Sequence, residues 1–262
     1  MSGIVTLTTD FGLQDAYVGA MKGVILGIAP GATLVDLSHQ VAPQDVAAGA
    51  FVLYSAYRCF PAGTVHVAVV DPGVGSARRG ILVETPSYRF LGPDNGLFSS
   101  IYASEQVERI VEIQNRDLAL PEVSATFHGR DIFAPAAAHL CRGAPIDAFG
   151  PPVSDPVRLD LWTVAVEARG VRGHIVHVDR FGNGITNLSR SQIEAAAGER
   201  LFRVETEKRV FDRVCRTYAD VPEGEALVLY GSQDTLEISV NGGSAAGALG
   251  IGRGNGVRVV WV

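Results

Sequence analysis

An aspartate placed directly after a strand-like segment is the first feature that could carry chemistry. Residues 65–70 form a nearly continuous apolar run, and Asp71 follows in the turn-rich loop Asp71-Pro72-Gly73-Val74-Gly75. Arg78 comes seven residues after Asp71, so its guanidinium can fold back and keep the carboxylate ionised. The same pair could instead be a loop salt bridge with no catalytic part.

One histidine lies in a setting that favours catalysis. His128 belongs to the polar, glycine-containing stretch Thr126-Phe127-His128-Gly129-Arg130-Asp131, just before a predicted helix. Other histidines fall on predicted strands or on an alanine-rich helix, where a structural role is favoured: His66, His139, His174 and His177. His128 is therefore the best functional candidate among the histidines, provided that the fold gives it a partner.

A second aspartate occupies an equivalent place near the start of the chain. Asp10 follows the strand-like residues 4–9 and is succeeded by Phe11-Gly12. In open parallel sheets, ligands bind beyond the carboxyl ends of the strands, so Asp10 and Asp71 are expected to share a cleft. Either residue could instead cap a helix or close a turn.

Polar residues also gather in the second half of the chain. The segment 177–187 contains Asp179 and Asn183 among glycines directly after a predicted strand, a density that is also typical of an Asx-type loop. Tyr218 adds an aromatic face suited to a planar base. Ser232, in a predicted turn, adds a hydroxyl suited to a carboxylate.

The elements that must position these residues change in character near residue 160. Strands at 4–9, 33–37 and 65–70 alternate with helices at 16–28 and 46–57, which predicts an α/β domain with a mostly parallel sheet flanked by helices. Later strands, separated by glycine-rich turns, predict a smaller, mainly antiparallel β domain: 173–178, 200–205, 226–230, 235–240 and 256–262. We expect domains at 1–160 and 170–262, joined by a linker at 161–169.

Composition excludes several classes of function. The net charge is −6 and the basic residues are scattered, so no nucleic-acid partner is expected. No apolar run approaches the ~20 residues of a membrane span and no basic leader opens the chain, which predicts a cytoplasmic protein without a membrane partner. The three cysteines lack metal-site spacing and are interpreted as small buried side chains. The loop Gly73-Val74-Gly75-Ser76-Ala77-Arg78 lacks the third glycine of a dinucleotide fingerprint.

Taken together, five ordered motifs resemble the S-adenosyl-L-methionine (SAM) hydroxide adenosyltransferases, adenosine-forming hydrolases related to fluorinases and chlorinases. The resemblance runs essentially end to end. Its motifs are Thr8-Thr9-Asp10-Phe11-Gly12, Val69-Val70-Asp71-Pro72-Gly73-Val74-Gly75 with Arg78, Gly92-Pro93-Asp94-Asn95-Gly96, Phe127-His128-Gly129-Arg130-Asp131 and Asp179-Arg180-Phe181-Gly182-Asn183.

The resemblance implies an α/β N-terminal domain, a β-barrel-like C-terminal domain and a homotrimer whose sites lie between the two domain types of neighbouring subunits. It implies a catalytic set of Asp71, Arg78 and His128. It also assigns the binding residues as follows: Asp10 to the ribose hydroxyls, Asp179 to the methionine ammonium, Asn183 and Tyr218 to adenine, and Ser232 to the methionine carboxylate.

The implied reaction is hydrolysis of SAM to adenosine and methionine, with SAM as substrate and with neither metal nor organic cofactor. Water held by Asp71 and His128, in a network that Arg78 stabilises, would attack the ribose C5′ in line with the C–S bond. Fluorinase-like proteins have a tyrosine at the Asp71 position and tyrosine-serine at His128-Gly129. They also have a tryptophan where Gln44 aligns and an arginine where Gln233 aligns.

Three other hypotheses stay open at this point. A halide-using adenosyl transferase is disfavoured by the anionic Asp71 beside the attack point. A non-catalytic SAM or adenosine sensor would keep the pocket without turning over its ligand. A metal-dependent hydrolase would use Asp10, Asp71, His128 and Asp131, although their spacing matches no familiar metal-binding motif.

Overall fold

The first half of the chain follows the alternation of apolar strands and helices that the sequence predicts. The structure, a computed structural model, describes residues 3–262. Two compact units divide the chain, one up to Leu159 and the other from Asp160 to Val262. None of the helices within residues 3–262 has the length and apolar character that a membrane span requires.

The first unit is a six-stranded sheet with helices. Its strands are β1 (Ile4–Thr9), β2 (Thr33–Ser38), β3 (Val65–Val69), β4 (Gly80–Glu84), β5 (Arg89–Pro93) and β6 (Arg109–Glu112). Its helices are α1 (Tyr17–Ile28), α2 (Val46–Ala56), α3 (Ser99–Ser104) and α4 (Ala134–Cys141), the last preceded by a π-helical turn, Gly129–Phe133. Apolar strands alternating with helices favour a sheet covered on both faces, as the sequence predicts.

The order of strands in this sheet is β2-β1-β3-β5-β4-β6. In this order β2, β1, β3 and β5 pair in parallel, whereas β4 runs antiparallel to both of its neighbours, β5 and β6. All five residues of β3 are buried, as expected for a central strand. Because β1 and β3 are parallel neighbours, their carboxyl ends, which precede Asp10 and Asp71, lie at the same edge of the sheet.

The second unit is an antiparallel, barrel-like sheet of eight strands. They are β7 (Ala165–Glu167), β8 (Gly170–Val178), β9 (Gly184–Ser189), β10 (Phe202–Thr206), β11 (Val210–Phe211), β12 (Ala226–Tyr230), β13 (Thr235–Val240) and β14 (Gly256–Trp261). Two helices, α5 (Arg190–Ala197) and α6 (Ala245–Leu249), accompany them. The strand order is β11-β10-β14-β8-β9-β13-β12, with β7 paired to β8. The predicted fold class is confirmed.

Two interpretations of the sequence need correction. The end of the polar segment 177–187 is not loop, because residues from Gly184 onward form β9, which pairs with β8 and β13. The strand was hidden by its polar residues, of which Thr186 and Asn187 are buried and hydrogen-bonded. The cysteines are not uniformly buried either, since Cys59 is exposed and only Cys215 is buried. The domain boundaries stay predictions, and the short strand β7 lies within residues 161–169, the range expected as a linker.

Candidate active site

A cavity opens at the edge of the first sheet where β1 and β3 end. Its volume is about 390 Å³. The lining consists of Asp10, Phe11, Tyr17, Pro43, Gln44, Val69, Asp71, Pro72, Val74, Thr126, Phe127, His128 and Gly129. Three of its rings pack against each other, with centroids 5.2 Å apart for Tyr17 and Phe127 and 5.8 Å apart for Phe11 and Phe127. The cavity therefore combines an apolar wall with the predicted carboxylates and histidine.

The expected pairing of Asp71 with Arg78 is present. Nε of Arg78 lies 3.0 Å from each carboxylate oxygen of Asp71, and an Nη of Arg78 also donates to Oδ2. The exposed fractions of these side chains are 5% for Asp71 and 11% for Arg78. The Arg78 guanidinium also lies 5.5 Å from the centroid of the Phe133 ring. A buried, ionised carboxylate is thus paired with a guanidinium that is itself fixed by packing.

The same guanidinium reaches His128. Nη2 of Arg78 lies 2.8 Å from Nδ1 of His128. Because a guanidinium can only donate, Nδ1 must be the accepting nitrogen, and a neutral His128 carries its proton on Nε2. Burial lowers the pKa of His128 below its usual range, and the positive charge of Arg78 lowers it further. Arg78 therefore links the other two residues and favours the neutral imidazole.

Close approach of two loops makes this contact possible. Gly75, in the loop between Asp71 and Arg78, has a φ of +77°, and a Cβ there would lie 2.2 Å from the carbonyl oxygen of Ala125. Ala125 is three residues before His128. Glycine is needed for both reasons, since a side chain would strain the backbone and push the His128 segment away.

Asp10 is held in place by a backbone bond. Its Oδ2 accepts a hydrogen bond of 2.7 Å from the backbone amide of Gln44. The backbone of Gln44 has a φ of +65°, which is uncommon for residues other than glycine. This strained position is typical of a functional site. Gln44 and Asp10 both line the first cavity, so this bond fixes part of its wall.

A buried histidine that the sequence analysis did not single out supports the turn after Asp10. His39 is 3% exposed, its Nδ1 lies 2.8 Å from Oγ1 of Thr9, and its Nε2 lies 3.0 Å from Oδ1 of Asp36. Thr9 accepts from the amide of Phe11, and the carbonyl of His39 accepts from the amide of Gly12. The signal in the sequence is position, because His39 follows β2 at the sheet edge where Asp10 and Asp71 follow their strands.

A second cavity, about 590 Å³ in volume, lies in the unit from Asp160 onward. It is lined by Phe181, Asn183, Tyr218, Val240, Gly242, Gly243 and Ser244. Phe181 and Tyr218 expose 76% and 41% of their surface, which is unusual for aromatic residues. Two predicted residues, Asn183 and Tyr218, therefore share an open, largely apolar cavity, whose glycine-rich wall the sequence analysis missed.

Asp179 supports this cavity from behind. Its Oδ1 accepts from the amides of Phe181 and Asn183, each at 2.9 Å, and its Oδ2 accepts from Nδ2 of Asn183 at 3.0 Å. The carboxylate orients the Asn183 amide, so that Oδ1 of Asn183 is the end that points away from Asp179. Asp179 and Asn183 are thus one hydrogen-bonded unit.

Ser232 is not gathered with these residues. It lies in the exposed turn between β12 and β13 and is absent from the wall of the cavity that Asn183 and Tyr218 line. Of the four residues of the metal hypothesis, three line the first cavity and Asp131 does not. Within residues 3–262, no three histidine, cysteine or acidic side chains are close enough to hold a metal ion. Asp131 instead binds Arg130 and the amide of Ser124.

Comparison with known proteins agrees with both units. The SAM hydroxide adenosyltransferase N-terminal domain matches residues 5–150, and the C-terminal domain of the same family matches residues 173–258. A relative from Salinispora tropica, named (R)-S-adenosyl-L-methionine hydrolase, is 45% identical over 97% of each chain. One of the same name from Thermus thermophilus is 40% identical over 98% of this chain and 99% of its own.

More distant relatives and a solved structure extend the comparison. Proteins named fluorinase match at 26 to 30% identity. The crystal structure of an uncharacterized conserved protein from Thermotoga maritima superposes with a TM-score of 0.90 at 38% identity, covering 98% of this chain and 99% of the other. The chain therefore belongs to the SAM hydroxide adenosyltransferase family.

Proposed function

We propose that this protein is an enzyme that hydrolyses SAM to adenosine and L-methionine. The observation that carries the proposal is the bridge by which Arg78 binds both Asp71 and His128 in the wall of one cavity. Family membership and the names of relatives at 40 to 45% identity support the same reaction. SAM is the substrate, and the reaction as proposed needs no metal or organic cofactor.

The chemistry asks for little beyond alignment. The sulfonium of SAM is a good leaving group, so a water oxygen held about 3 to 3.5 Å from C5′, in line with the C–S bond, can displace it. The C–O bond forms as the C–S bond breaks, and the electron pair of that bond stays on methionine sulfur. The proton that the water loses is released to solvent, which balances the positive charge that the sulfonium gives up. An enzyme that holds the water in line with the C–S bond therefore supplies most of the rate acceleration that this reaction needs.

The three residues divide the work of holding that water. Nδ1 of His128 is occupied by the Arg78 guanidinium, so the neutral imidazole can offer only the N–H of Nε2. Asp71 keeps acceptor capacity, because each carboxylate oxygen has more than one lone pair. We therefore assign Asp71 as the group that accepts a hydrogen bond from the water. His128 is assigned as the group that donates a hydrogen bond to the water oxygen and so orients it. This gives Asp71 and His128 different roles in holding the water that the family resemblance places between them.

The remaining residues are proposed to hold the substrate. Asp10 is positioned to accept hydrogen bonds from the ribose hydroxyls, since only Oδ2 is engaged by Gln44. Asn183 and Tyr218 would contact adenine in the second cavity. Asp179 would meet the methionine ammonium and Ser232 the carboxylate. The Asp179 and Ser232 assignments rest on the family resemblance alone, because neither residue lines the second cavity.

The proposal includes a homotrimer in the cytoplasm, without nucleic-acid or membrane partners. The Asp71 and Asn183 cavities belong to different compact units of the chain, and each holds part of the predicted set of residues. In a trimer, the first unit of one subunit would meet the second unit of the next. Each complete site would then draw on two chains.

Two alternatives predict different products. A halide used as nucleophile would approach a carboxylate that is 95% shielded from water, since Asp71 is only 5% exposed at its side chain, and like charges would repel. A non-catalytic sensor would have no need of the orienting bonds between Arg78 and its two neighbours. Both alternatives are decided by product analysis.

The test is incubation of purified protein with SAM, followed by chromatography of the products. We expect adenosine and methionine in equal amounts, unchanged by chelator or chloride. A halogenated nucleoside would instead support the halide transferase, chelator-sensitive turnover the metal hydrolase, and binding without product the sensor. The variant Asp71→Ala should lower turnover by about 100-fold or more, the scale for loss of a positioned polar group. Near-normal turnover in that variant would remove Asp71 from the mechanism.

A further inference from the structure

A buried carboxylate behind the second cavity has no role in the reaction described so far. Glu237 lies on β13, where all six residues are buried, and it is 6% exposed. A buried carboxylate is costly unless its oxygens are hydrogen-bonded. A glutamate at this strand position therefore destabilises the fold unless its contacts compensate for its burial.

Glu237 is held from two sides. Its Oε1 accepts from the hydroxyl of Tyr218 at 2.8 Å and from the hydroxyl of Ser239 at 2.7 Å. Its Oε2 lies against Gly231, where a Cβ would come within 2.6 Å of that oxygen. The absent side chain of Gly231 thus leaves space for the carboxylate. The carboxylate of Glu237 therefore has a defined position, in which Oε1 binds the hydroxyl of Tyr218.

Tyr218 is the residue whose position depends on that bond. It belongs to a single 3₁₀ turn, Tyr218–Asp220, rather than to the sheet, and its ring lines the open cavity with 41% of the residue exposed. A half-exposed aromatic ring on a short turn can adopt several rotamers unless its polar end is tethered. Burial raises the pKa of Tyr218 to about 12, and the bond to Glu237 contributes, so the phenol remains a donor at neutral pH.

We propose that Glu237 is a positioning residue that holds the Tyr218 ring in the wall of the base-binding cavity. The proposal rests on the proposed function, because it takes adenine to be the group that this cavity receives. Glu237 acts through Tyr218 and does not touch the substrate. Its contribution is pre-organisation, since a ring already fixed in place loses less conformational freedom when a planar base stacks on it.

The inference predicts a defect confined to nucleoside binding. Tyr218→Phe keeps the ring and removes its tether, while Glu237→Gln keeps the shape of the acceptor and removes its charge. Tyr218→Phe should weaken adenosine binding and raise the KM for SAM by ~10-fold, the scale for loss of a hydrogen bond to a charged group. Glu237→Gln should have a smaller effect in the same direction, because the amide oxygen of glutamine still accepts from the phenol. The kcat should stay within about 2-fold and L-methionine affinity should be unchanged, because the reacting atoms are untouched.

A double-mutant cycle separates positioning from a general loss of structure. If the two residues act through one bond, the double variant Tyr218→Phe/Glu237→Gln should weaken adenosine binding about as much as Tyr218→Phe alone. The matched control is Tyr102→Phe, which removes a tyrosine hydroxyl outside both cavities and should leave adenosine binding unchanged. If Glu237→Gln does not fold, Tyr218→Phe tests the same bond from the partly exposed side.

Calorimetric titration with adenosine and with L-methionine provides the measurement. Wild-type adenosine affinity in both single variants would overturn the proposal, and so would multiplicative losses in the double variant. Adenosine binding does not depend on turnover. A protein that binds adenosine through this pair but releases no products from SAM would contradict the proposed function and leave the role of Glu237 intact.

Discussion

Arg78 determines what its two partners can do. By occupying Nδ1 of His128 it assigns the imidazole proton to Nε2, and by binding both oxygens of Asp71 it fixes the plane of the carboxylate. A lysine could supply the charge but not the fork of donors that reaches two residues at once. The protonation pattern of the site thus follows from one side chain.

Titration of His128 tests that arrangement. Because burial and Arg78 lower the pKa of His128, the ring should stay neutral as pH falls past 6.5, and turnover should decline only at lower pH. In Arg78→Met the neighbouring cation is gone and Asp71 is unpaired, so the pKa should rise. The measurement is the NMR titration of the ring Cε1–H, assigned by comparison with His128→Gln.

A matched control uses a more distant cation. Arg116 also lowers the pKa of His128, but it is the last of the contributing causes. Arg116→Met should therefore raise the pKa by less than Arg78→Met does. A pKa that is unchanged or lower in Arg78→Met would show that the guanidinium does not control this imidazole.

Sequence alone could identify residues whose position is unusual, and it failed for residues whose role depends on a tertiary contact. Asp71, Arg78 and His128 stand out because polar residues follow apolar strands or lie among glycines. Glu237 alternates with apolar neighbours on β13 and resembles an ordinary strand residue until Tyr218 is seen beside it. His39 is marked in the sequence by its position after β2, but its bonds to Thr9 and Gly12 are needed to show what it supports.

At the scale of elements, two loops must meet for the site to form. The loop after β3 carries Asp71 and Arg78, and the segment before α4 carries His128. They approach each other at Gly75, whose missing side chain leaves space for the carbonyl of Ala125. The distance between these loops therefore controls the contact between Arg78 and His128.

Gly75→Ala should separate the loops. The new Cβ meets a backbone oxygen, which cannot move aside as a side chain end can, and the positive φ adds roughly 1 to 2 kcal/mol of strain. We expect turnover to fall by about 100-fold, with a lower Tm. The control is Gly19→Ala in α1, where nothing lies within 4 Å and where alanine should stabilise the helix by roughly 0.5 to 1 kcal/mol. Equal turnover in the two variants would contradict this role for Gly75.

Strand β3 also contains a group that makes the fold sensitive to acid. His66 is fully buried, stacks on Phe90 and bonds to Thr6, and burial lowers its pKa to about 3. Below pH 6.5 the unfolded chain takes up a proton that the folded chain does not, so stability falls as pH decreases from 6.5 towards 3. The loss from this residue should reach roughly 3 kcal/mol at pH 4.

Replacing both partners removes the titrating group without leaving an unpaired hydroxyl. The variant Thr6→Val/His66→Phe should show a smaller slope of unfolding free energy against pH between 6.5 and 4, measured by denaturant titration. Stability at pH 8 need not match the wild type, because the test is the slope. An unchanged slope would mean that His66 is not a source of acid sensitivity.

The main elements of the fold could be predicted because their strands are apolar throughout or alternate clearly. All five residues of β3 are buried, and the end of this strand is marked by Asp71. Strand β9 could not be predicted, since its polar residues are satisfied by partners distant in sequence, such as Thr186 by the carbonyl of Leu236. Short elements such as β7 and β11 carry too few residues for a pattern.

At the scale of the whole molecule, the proposed trimer makes a prediction about mixed assemblies. Asp71→Ala impairs the first unit and Asn183→Ala impairs the second. If each site combines units from two subunits, co-expression of the two variants should restore activity at about one quarter of the sites, those that receive both intact units by random assembly. The measurement is SAM turnover of the co-expressed protein, with its mass determined by light scattering.

Two controls define that experiment. Each variant expressed alone should remain poorly active. A chain that carries both substitutions should add no activity when it is co-expressed with wild type, because only sites built entirely from wild-type units are then intact. Mixed assemblies no more active than the separate variants, or a fully active monomer in solution, would contradict sites shared between subunits.

The central claim is that water attacks the ribose C5′ of SAM. Reaction in water enriched in ¹⁸O, followed by mass spectrometry of both products, tests it most directly. The account predicts one labelled oxygen in adenosine, at the 5′ position, and none in methionine. Unlabelled adenosine, or label in homoserine with release of methylthioadenosine, would show that the nucleophile or the bond broken is a different one.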